Sequence, residues 1–197
     1  MVCGNDSDPD GGYGFEYISQ ICVSLQNFIS KDPATFLSTY DGETFIARTF
    51  RFIERSLKIN ATSEHMLDGV VIMKVLMAML ENLKGRIDEA LPHVLRICLG
   101  QFVECKPTKH FASMIMQTVA MCFWYNAALT FQVLEQAGAT QDAFLKLFHC
   151  LPTLKHDFEY RRLIFGLTSI VSLSPQQMPT IIADKLPVIT KELVDLA

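Results

Sequence analysis

FASMIMQTVAMCFWYNAALTFQVL, residues 111–134, carries no charged side chain. A stretch of that length can cross a bilayer, for which about 20 apolar residues suffice. As a membrane span, however, it would hold Ser113, Gln117, Thr118, Asn126, Thr130 and Gln132 in lipid, where polar groups without partners are costly. Neither end carries the cluster of basic residues that orients a span. A helix enclosed by other helices is also apolar all round, because no face of it meets water. That second reading is adopted, and it requires helical neighbours on several sides.

The flanking sequence supplies them, since its apolar residues keep a helical period on both sides. Ile18, Cys22, Leu25, Phe28 and Ile29 form one face of a first helix that stops near Asp32, where Asp32 caps and Pro33 opens a short turn reaching Thr39. After Asp41 and Gly42, a helix over 43–58 turns Ile46, Thr49, Phe50, Ile53 and Leu57 inward, although Phe50, Arg51 and Phe52 alone would also suit a strand. Ser63 and Glu64 start a helix with Met66, Val70, Met73, Leu76, Met77 and Leu80 inward, closed by Gly85. Asp88 and Glu89 start another, with Leu91, Val94, Leu95, Cys98, Leu99 and Phe102, which ends before Lys106 and Pro107. Helices over 109–126 and 128–150 share the uncharged stretch, and 156–173 is apolar nearly all round. Ser174, Pro175, Gln176 and Gln177 read as a capping box with proline at the first helical position, opening a final segment. No Asn-Gly or Asp-Gly joins alternating runs, so the expected fold is all-α with negligible sheet.

Composition agrees. Of 197 residues, 50% are hydrophobic and only 19% charged, below the usual ~25%, so few side chains are left to solvate an exterior. The net charge of −4 argues against nucleic acid as a direct partner, which calls for a basic footprint. Cys3, Cys22, Cys98, Cys105, Cys122 and Cys150 include no Cys-x-x-Cys pair. Most lie in apolar helical patterns, where a thiol acts as a small hydrophobe, and no basic start with an apolar stretch precedes them; free thiols in a reducing compartment are expected. The sequons at Asn5 and Asn60 are read as chance. Residues 1–14 are acidic and Gly-rich with almost nothing to bury, a flexible tail or loop remnant. Asp6, Asp8, Asp10 and Gly11 match half of a calcium loop, but Tyr17 stands where the bidentate Glu belongs.

Two segments, 89–95 and 184–190, are similar to each other at an offset of 95 residues, two periods of about 47, within the range of HEAT-type helical repeats. Helices 43–58 with 63–84, 86–106 with 109–126, and 128–150 with 156–173 pair as antiparallel hairpins, leaving the first and last helices unpaired. This predicts an α-solenoid in which 15–197 is one HEAT-repeat segment. Asp-Pro-Ala-Thr-Phe-Leu at 32–37, Gly-Arg-Ile-Asp-Glu-Ala-Leu-Pro at 85–92, Trp124-Tyr125-Asn126 followed by Leu134-Glu135, and Arg-Leu-Ile-Phe-Gly-Leu-Thr-Ser-Ile at 162–170 are collinear, from about Tyr17 to Ala197, with a known family. The chain resembles the importin-β (karyopherin) nuclear transport receptors, in particular the C-terminal HEAT-repeat region of the importin-7/importin-8 type. The resemblance implies a fragment of a longer superhelix, located in cytoplasm and nucleus, that carries protein cargo through nuclear pores under control of the Ran GTPase. Contacts with Ran and with nucleoporins would belong to other parts of such a receptor. The alternatives kept beside it are a HEAT or armadillo scaffold unrelated to transport and, last, a helical membrane protein.

No motif points to an enzyme: there is no Gly-x-Ser-x-Gly, His-Glu-x-x-His, Walker loop or dinucleotide fingerprint. No cofactor or metal is expected. His65, His93, His110, His149 and His156 fall near helix ends, and His149, Cys150 and His156 alone do not complete a zinc shell. Trp124 and Tyr125 are read as core. The one candidate partner-binding feature is a basic stripe, Arg48, Arg51, Arg55 and Lys58, spaced i, i+3, i+7 and i+10 on one helix face and interrupted in part by Glu54. It is either a solvated face or a patch for acidic cargo. Finally, Ile181, Ile182, Leu186, Val188, Ile189, Leu193, Val194 and Leu196 cover more of a helix than one contact needs, so self-association through Met178 to Ala197 is expected.

Overall fold

The structure, a computed structural model, describes residues 17–62 and 67–196. The tail 1–14 with its half calcium loop, Cys3, His65 and the helix start at Ser63 and Glu64 lie outside the described residues. The chain forms two compact units, Met1–Asn82 and Leu83–Ala197. Among the described residues it is all-α apart from one short hairpin, as expected.

In the first unit, α1 (Ile18–Lys31), α2 (Pro33–Phe36), α3 (Phe45–Thr62) and α4 (Leu67–Asn82) follow in order. Asp32 caps α2, its carboxylate accepting a hydrogen bond from the Thr35 backbone N–H at 3.1 Å. Phe50 and Phe52 both lie buried on α3 with Ile53 and Leu57, so the helical period prevails over the short strand-like run. The helix α4 buries Ile72, Met73, Val75, Leu76, Met79 and Leu80 completely, which takes neighbours on more than one side. It packs against both α1 and α3, and more extensively against α1. This corrects the pairing expected from sequence: the first helix is not left alone, and α4 is its main partner. The rings of Phe28, Phe36 and Phe45 close that end edge to face, with centroids 5.5–5.8 Å apart.

A second correction concerns sheet. Thr39–Tyr40 (β1) and Glu43–Thr44 (β2) pair antiparallel, Thr39 opposite Thr44 and Tyr40 opposite Glu43. Asp41 (φ 53°) and Gly42 (φ 76°) between them both take positive φ, as a two-residue hairpin turn requires. Asp-Gly is a known signal for this turn, but two residues on each side are too few to show alternation.

In the second unit, a 3-10 turn at Asp88–Ala90 leads into α5 (Leu91–Glu104), followed by α6 (Lys109–Gln136), α7 (Thr140–Cys150), α8 (Asp157–Val171), α9 (Thr180–Ala183) and α10 (Leu186–Leu196). The uncharged stretch is the body of α6, and α5, α7 and α8 all pack against it. Enclosure by three helices explains its lack of charge, and among the described residues no helix is long and apolar enough to cross a membrane. The expected division into helices 109–126 and 128–150 is present only as a kink inside α6: Asn126 (φ −158°, ψ 93°) is non-helical, and its Oδ1 caps the continuation by accepting from the Leu129 N–H at 3.1 Å. The expected helix 128–150 does not exist as one element. Gly138, at φ 62°, turns the chain between Gln136 and Thr140, so the expected element is split between the end of α6 and α7, and α8 packs chiefly on α6.

The final segment also departs from expectation. Ser174 makes no capping hydrogen bond to the backbone, and Pro175–Gln177 form only a 3-10 turn. The helix α10 packs on α8, which buries Ile189, and Ile182 is buried as well. The last helix is therefore partnered, and the apolar side chains left open are Ile181, Val188 and Val194. The five described cysteines are free thiols. Burial pushes the Cys98 thiol up to about 12 and the Cys122 thiol well above its usual value.

Candidate functional site

The basic stripe of α3 is partly committed within its own unit. Arg48 donates to the Tyr40 carbonyl and lies over the Tyr40 ring, 5.5 Å from its centroid. Its Nε is 3.5 Å from Glu43 Oε2, and Arg51 donates to the same carboxylate oxygen at 2.8 Å. Glu43 thus gathers two guanidinium groups and ties the hairpin to the helix. Arg55 is half-buried and also engaged, while Arg51 and Lys58 are exposed. The geometry makes the stripe a brace for the β1–β2 hairpin, with an exposed cationic end at Lys58.

The kink in α6 produces a larger feature that sequence reading missed. Breaking the helix at Asn126 interrupts the ladder of backbone hydrogen bonds, and Thr130 Oγ1, placed 2.9 Å from the Cys122 carbonyl and 2.8 Å from that of Asn126, can serve either. On the open side lies a cleft of about 910 Å³ lined by Asp88, Glu89, Asn126, Gln132, Glu135 and Gln177, among others. Three carboxylates and several amides can hold a cationic or peptide-like group, the amides donating and accepting at once. The signal in the sequence was Asn126 itself, a poor helix former in an uncharged run.

One wall of the cleft is fixed by Tyr125, which is buried. Its hydroxyl accepts from the Ile87 backbone N–H at 3.0 Å and donates to Asp88 Oδ1 at 2.6 Å. Burial, helped by the Asp88 carboxylate, pushes the phenol up to about 12, so it stays a donor at any physiological pH. Trp124, next to it, is half-buried beneath the Lys84 ammonium, 3.7 Å from the ring centroid. The core reading therefore holds for Tyr125, while Trp124 also faces outward. Tyr125→Phe should lower stability by about 1 to 2 kcal/mol, because the buried Ile87 N–H loses its acceptor; urea unfolding followed by Trp124 fluorescence measures it, and an unchanged midpoint would contradict the assignment.

Between α6 and α8 lies a buried polar cluster. Gln117 Nε2 donates to Glu159 Oε1 at 3.0 Å, and Arg162 donates to Gln117 Oε1 at 2.9 Å. Glu159 Oε2 accepts from the backbone N–H groups of Lys155 and His156 at 2.9 and 3.0 Å. His149, Cys150 and His156 do not assemble into a ligand set: among the described residues no three His, Cys, Asp or Glu side chains are placed to hold a metal ion.

Comparison with known proteins gives two relatives. The chain is 20% identical over 190 residues to a "Probable importin-7 homolog" of Dictyostelium discoideum, covering 92% of this chain and 17% of that protein. It is 23% identical over 193 residues to an "Importin beta-like SAD2 homolog" of Arabidopsis thaliana, covering 93% of this chain and 18% of that protein. The chain thus spans less than a fifth of the length of the curated relatives it matches. No family model matches it, and no solved structure does. Similarity across more than nine-tenths of an all-α chain of packed helical hairpins supports a relationship between this chain and the importin-β superfamily.

Proposed function

We propose that this chain is a non-enzymatic protein–protein interaction module, a segment of a nuclear transport receptor that carries protein cargo between cytoplasm and nucleus under Ran control. The observation that carries this reading is the collinear similarity of nearly the whole chain to two importin-type proteins. The helical packing supports it, because stacked hairpins present extended surfaces for a protein partner. So does the cleft at the α6 kink, whose amides and carboxylates suit a peptide rather than a reaction. Ran and nucleoporins would engage parts of the receptor beyond this segment. The alternative is a HEAT or armadillo scaffold with no role in transport.

The test uses the intact protein that contains this segment, labelled and added to permeabilised cells. It should enter nuclei and release bound protein cargo on addition of Ran-GTP. Exclusion from nuclei, together with indifference to Ran-GTP, would overturn transport in favour of the scaffold reading.

A further inference from the structure

Where the end of α5, the turn 105–108, the start of α6 and the end of α7 meet, the second unit forms a pocket of about 700 Å³. Its inner wall includes the half-buried Phe102, Pro107 and Phe148, and exposed Lys106, Lys109 and His149 stand around it. No carboxylate lines it, although the chain as a whole has a net charge of −4. Nearby Lys146 shows what a lysine does when an acid is in reach: it pairs with Asp142. Lys106, Lys109 and His149 have no hydrogen-bond or ion-pair partner among the described residues.

Ordinary helix electrostatics explains only part of this arrangement. Cations at the ends of α5 and α7 offset the negative pole of a helix, which accounts for Lys106 and His149. Lys109, by contrast, is the first residue of α6, followed by His110, and the first turn contains no acidic residue. At that positive pole a carboxylate is the favourable choice, so the cations there work against the helix. Local conflicts of this kind mark functional sites. The pocket thiols offer no chemistry of their own: burial raises both Cys105, further raised by Glu104, and Cys150, which keeps them protonated and poorly nucleophilic.

We propose that this pocket binds an acidic peptide segment of a partner protein, with one aromatic or large aliphatic side chain seated against Phe102 and Phe148 and flanking carboxylates on Lys106, Lys109 and His149. The inference rests on the protein-binding reading above and names the partner class for one surface. The volume suits an anchor of one or two side chains, within the range of ordinary ligand pockets. A short acidic segment is favoured over a long polyanion, because the unpaired cations are confined to this one rim and carboxylates stand just outside it, Glu104 beside Cys105 and Asp142 on Lys146.

A fluorescein-labelled peptide with four glutamates flanking one phenylalanine tests this by anisotropy against the full 197-residue chain. Binding should weaken as salt is raised, and Lys106→Glu with Lys109→Glu should weaken it by about tenfold or more. A peptide with alanine in place of phenylalanine should bind several-fold more weakly, a control that leaves the protein untouched. Unchanged binding by the double variant, with its circular dichroism intact, would overturn the proposal. Tighter binding of a single-stranded RNA oligonucleotide or of phosphatidylserine vesicles than of the peptide would overturn it too. Neither result touches the response of the intact protein to Ran-GTP, so failure here is separable from failure of the transport reading.

Discussion

Glu159→Ala lowers the stability of the second unit by about 3 kcal/mol, through hydrogen bonds rather than charge pairing. Only 4% of Glu159 is exposed, and its carboxylate accepts from two backbone N–H groups at the start of α8 and from the Gln117 amide. Removing it takes the acceptor from two part-buried backbone N–H groups and leaves the Gln117 amide with Ser113 alone, each unmet donor costing about 1 to 3 kcal/mol; rearrangement and water relieve part of the sum. Glu159→Gln is the sharper probe. Its amide has one oxygen and one NH2, and both carboxylate oxygens face donors, so either orientation sets NH2 against N–H. Its loss should be smaller than that of alanine but clear, about 1 to 2 kcal/mol.

The same site predicts a pH dependence. Burial alone would raise the Glu159 carboxyl, but the N–H groups of Lys155 and His156, the Gln117 amide and the His156 ring bring it below the ordinary 4.5. A carboxyl held lower in the folded state stabilises fully above its unfolded value, and the contribution is lost as pH falls through the folded value. The gap between the native chain and Glu159→Gln should therefore be widest near neutrality and shrink below about pH 4.5. Urea midpoints read from Trp124, the single tryptophan of the chain, measure both; a gap constant down to pH 3 would remove the carboxylate from this role.

How much of this could be read beforehand follows from range. Helical periods and the Asp32 cap are local signals, and both are in the structure. Pairing is not local. The sequence pairs neighbours by order, yet α4 packs chiefly on α1, and α8 on α6 across the intervening α7. Nothing in the residues of 128–150 forces a division except Gly138, whose positive φ becomes meaningful only once a turn is known to be needed. The Asp41-Gly42 hairpin escaped because its strands are too short for a period. The stripe of Arg48, Arg51, Arg55 and Lys58 was legible as a pattern, but its intramolecular partner Glu43 lies on the hairpin that was not foreseen. The two pockets were hidden for a related reason: one needs the kink of α6, and the other needs four elements to converge.

Gly166→Ala should destabilise the chain by about 2 to 3 kcal/mol even though alanine is the better helix former. A Cβ on Gly166 would stand 2.5 Å from the Ala120 carbonyl oxygen and 3.0 Å from its C and Cα. These are backbone atoms of α6, which cannot rotate away, so α8 itself must move. The intrinsic gain of about 1 kcal/mol for Gly to Ala in a helix is set against overpacking of about 1 to 3 kcal/mol, occasionally more, in a closed core. Overpacking prevails here because the displacement spreads. One turn earlier on α8, Arg162 donates to Gln117 of α6, and Leu163, Leu167 and Ile170 are all buried. Gly100 supplies the contrast: on α5 its added Cβ would meet only Glu104 Oε1, a flexible side chain, at 3.6 Å. Gly100→Ala should therefore stabilise by up to about 1 kcal/mol, giving two identical substitutions of opposite sign. If α8 moves as argued, Gly166→Ala already loosens the Gln117–Glu159 contact, and adding Glu159→Gln should cost less than it does alone. A double-mutant cycle read from Trp124 should then show a coupling of at least about 0.5 kcal/mol. Strict additivity would mean that the methyl group is absorbed locally and that the helix stays in place.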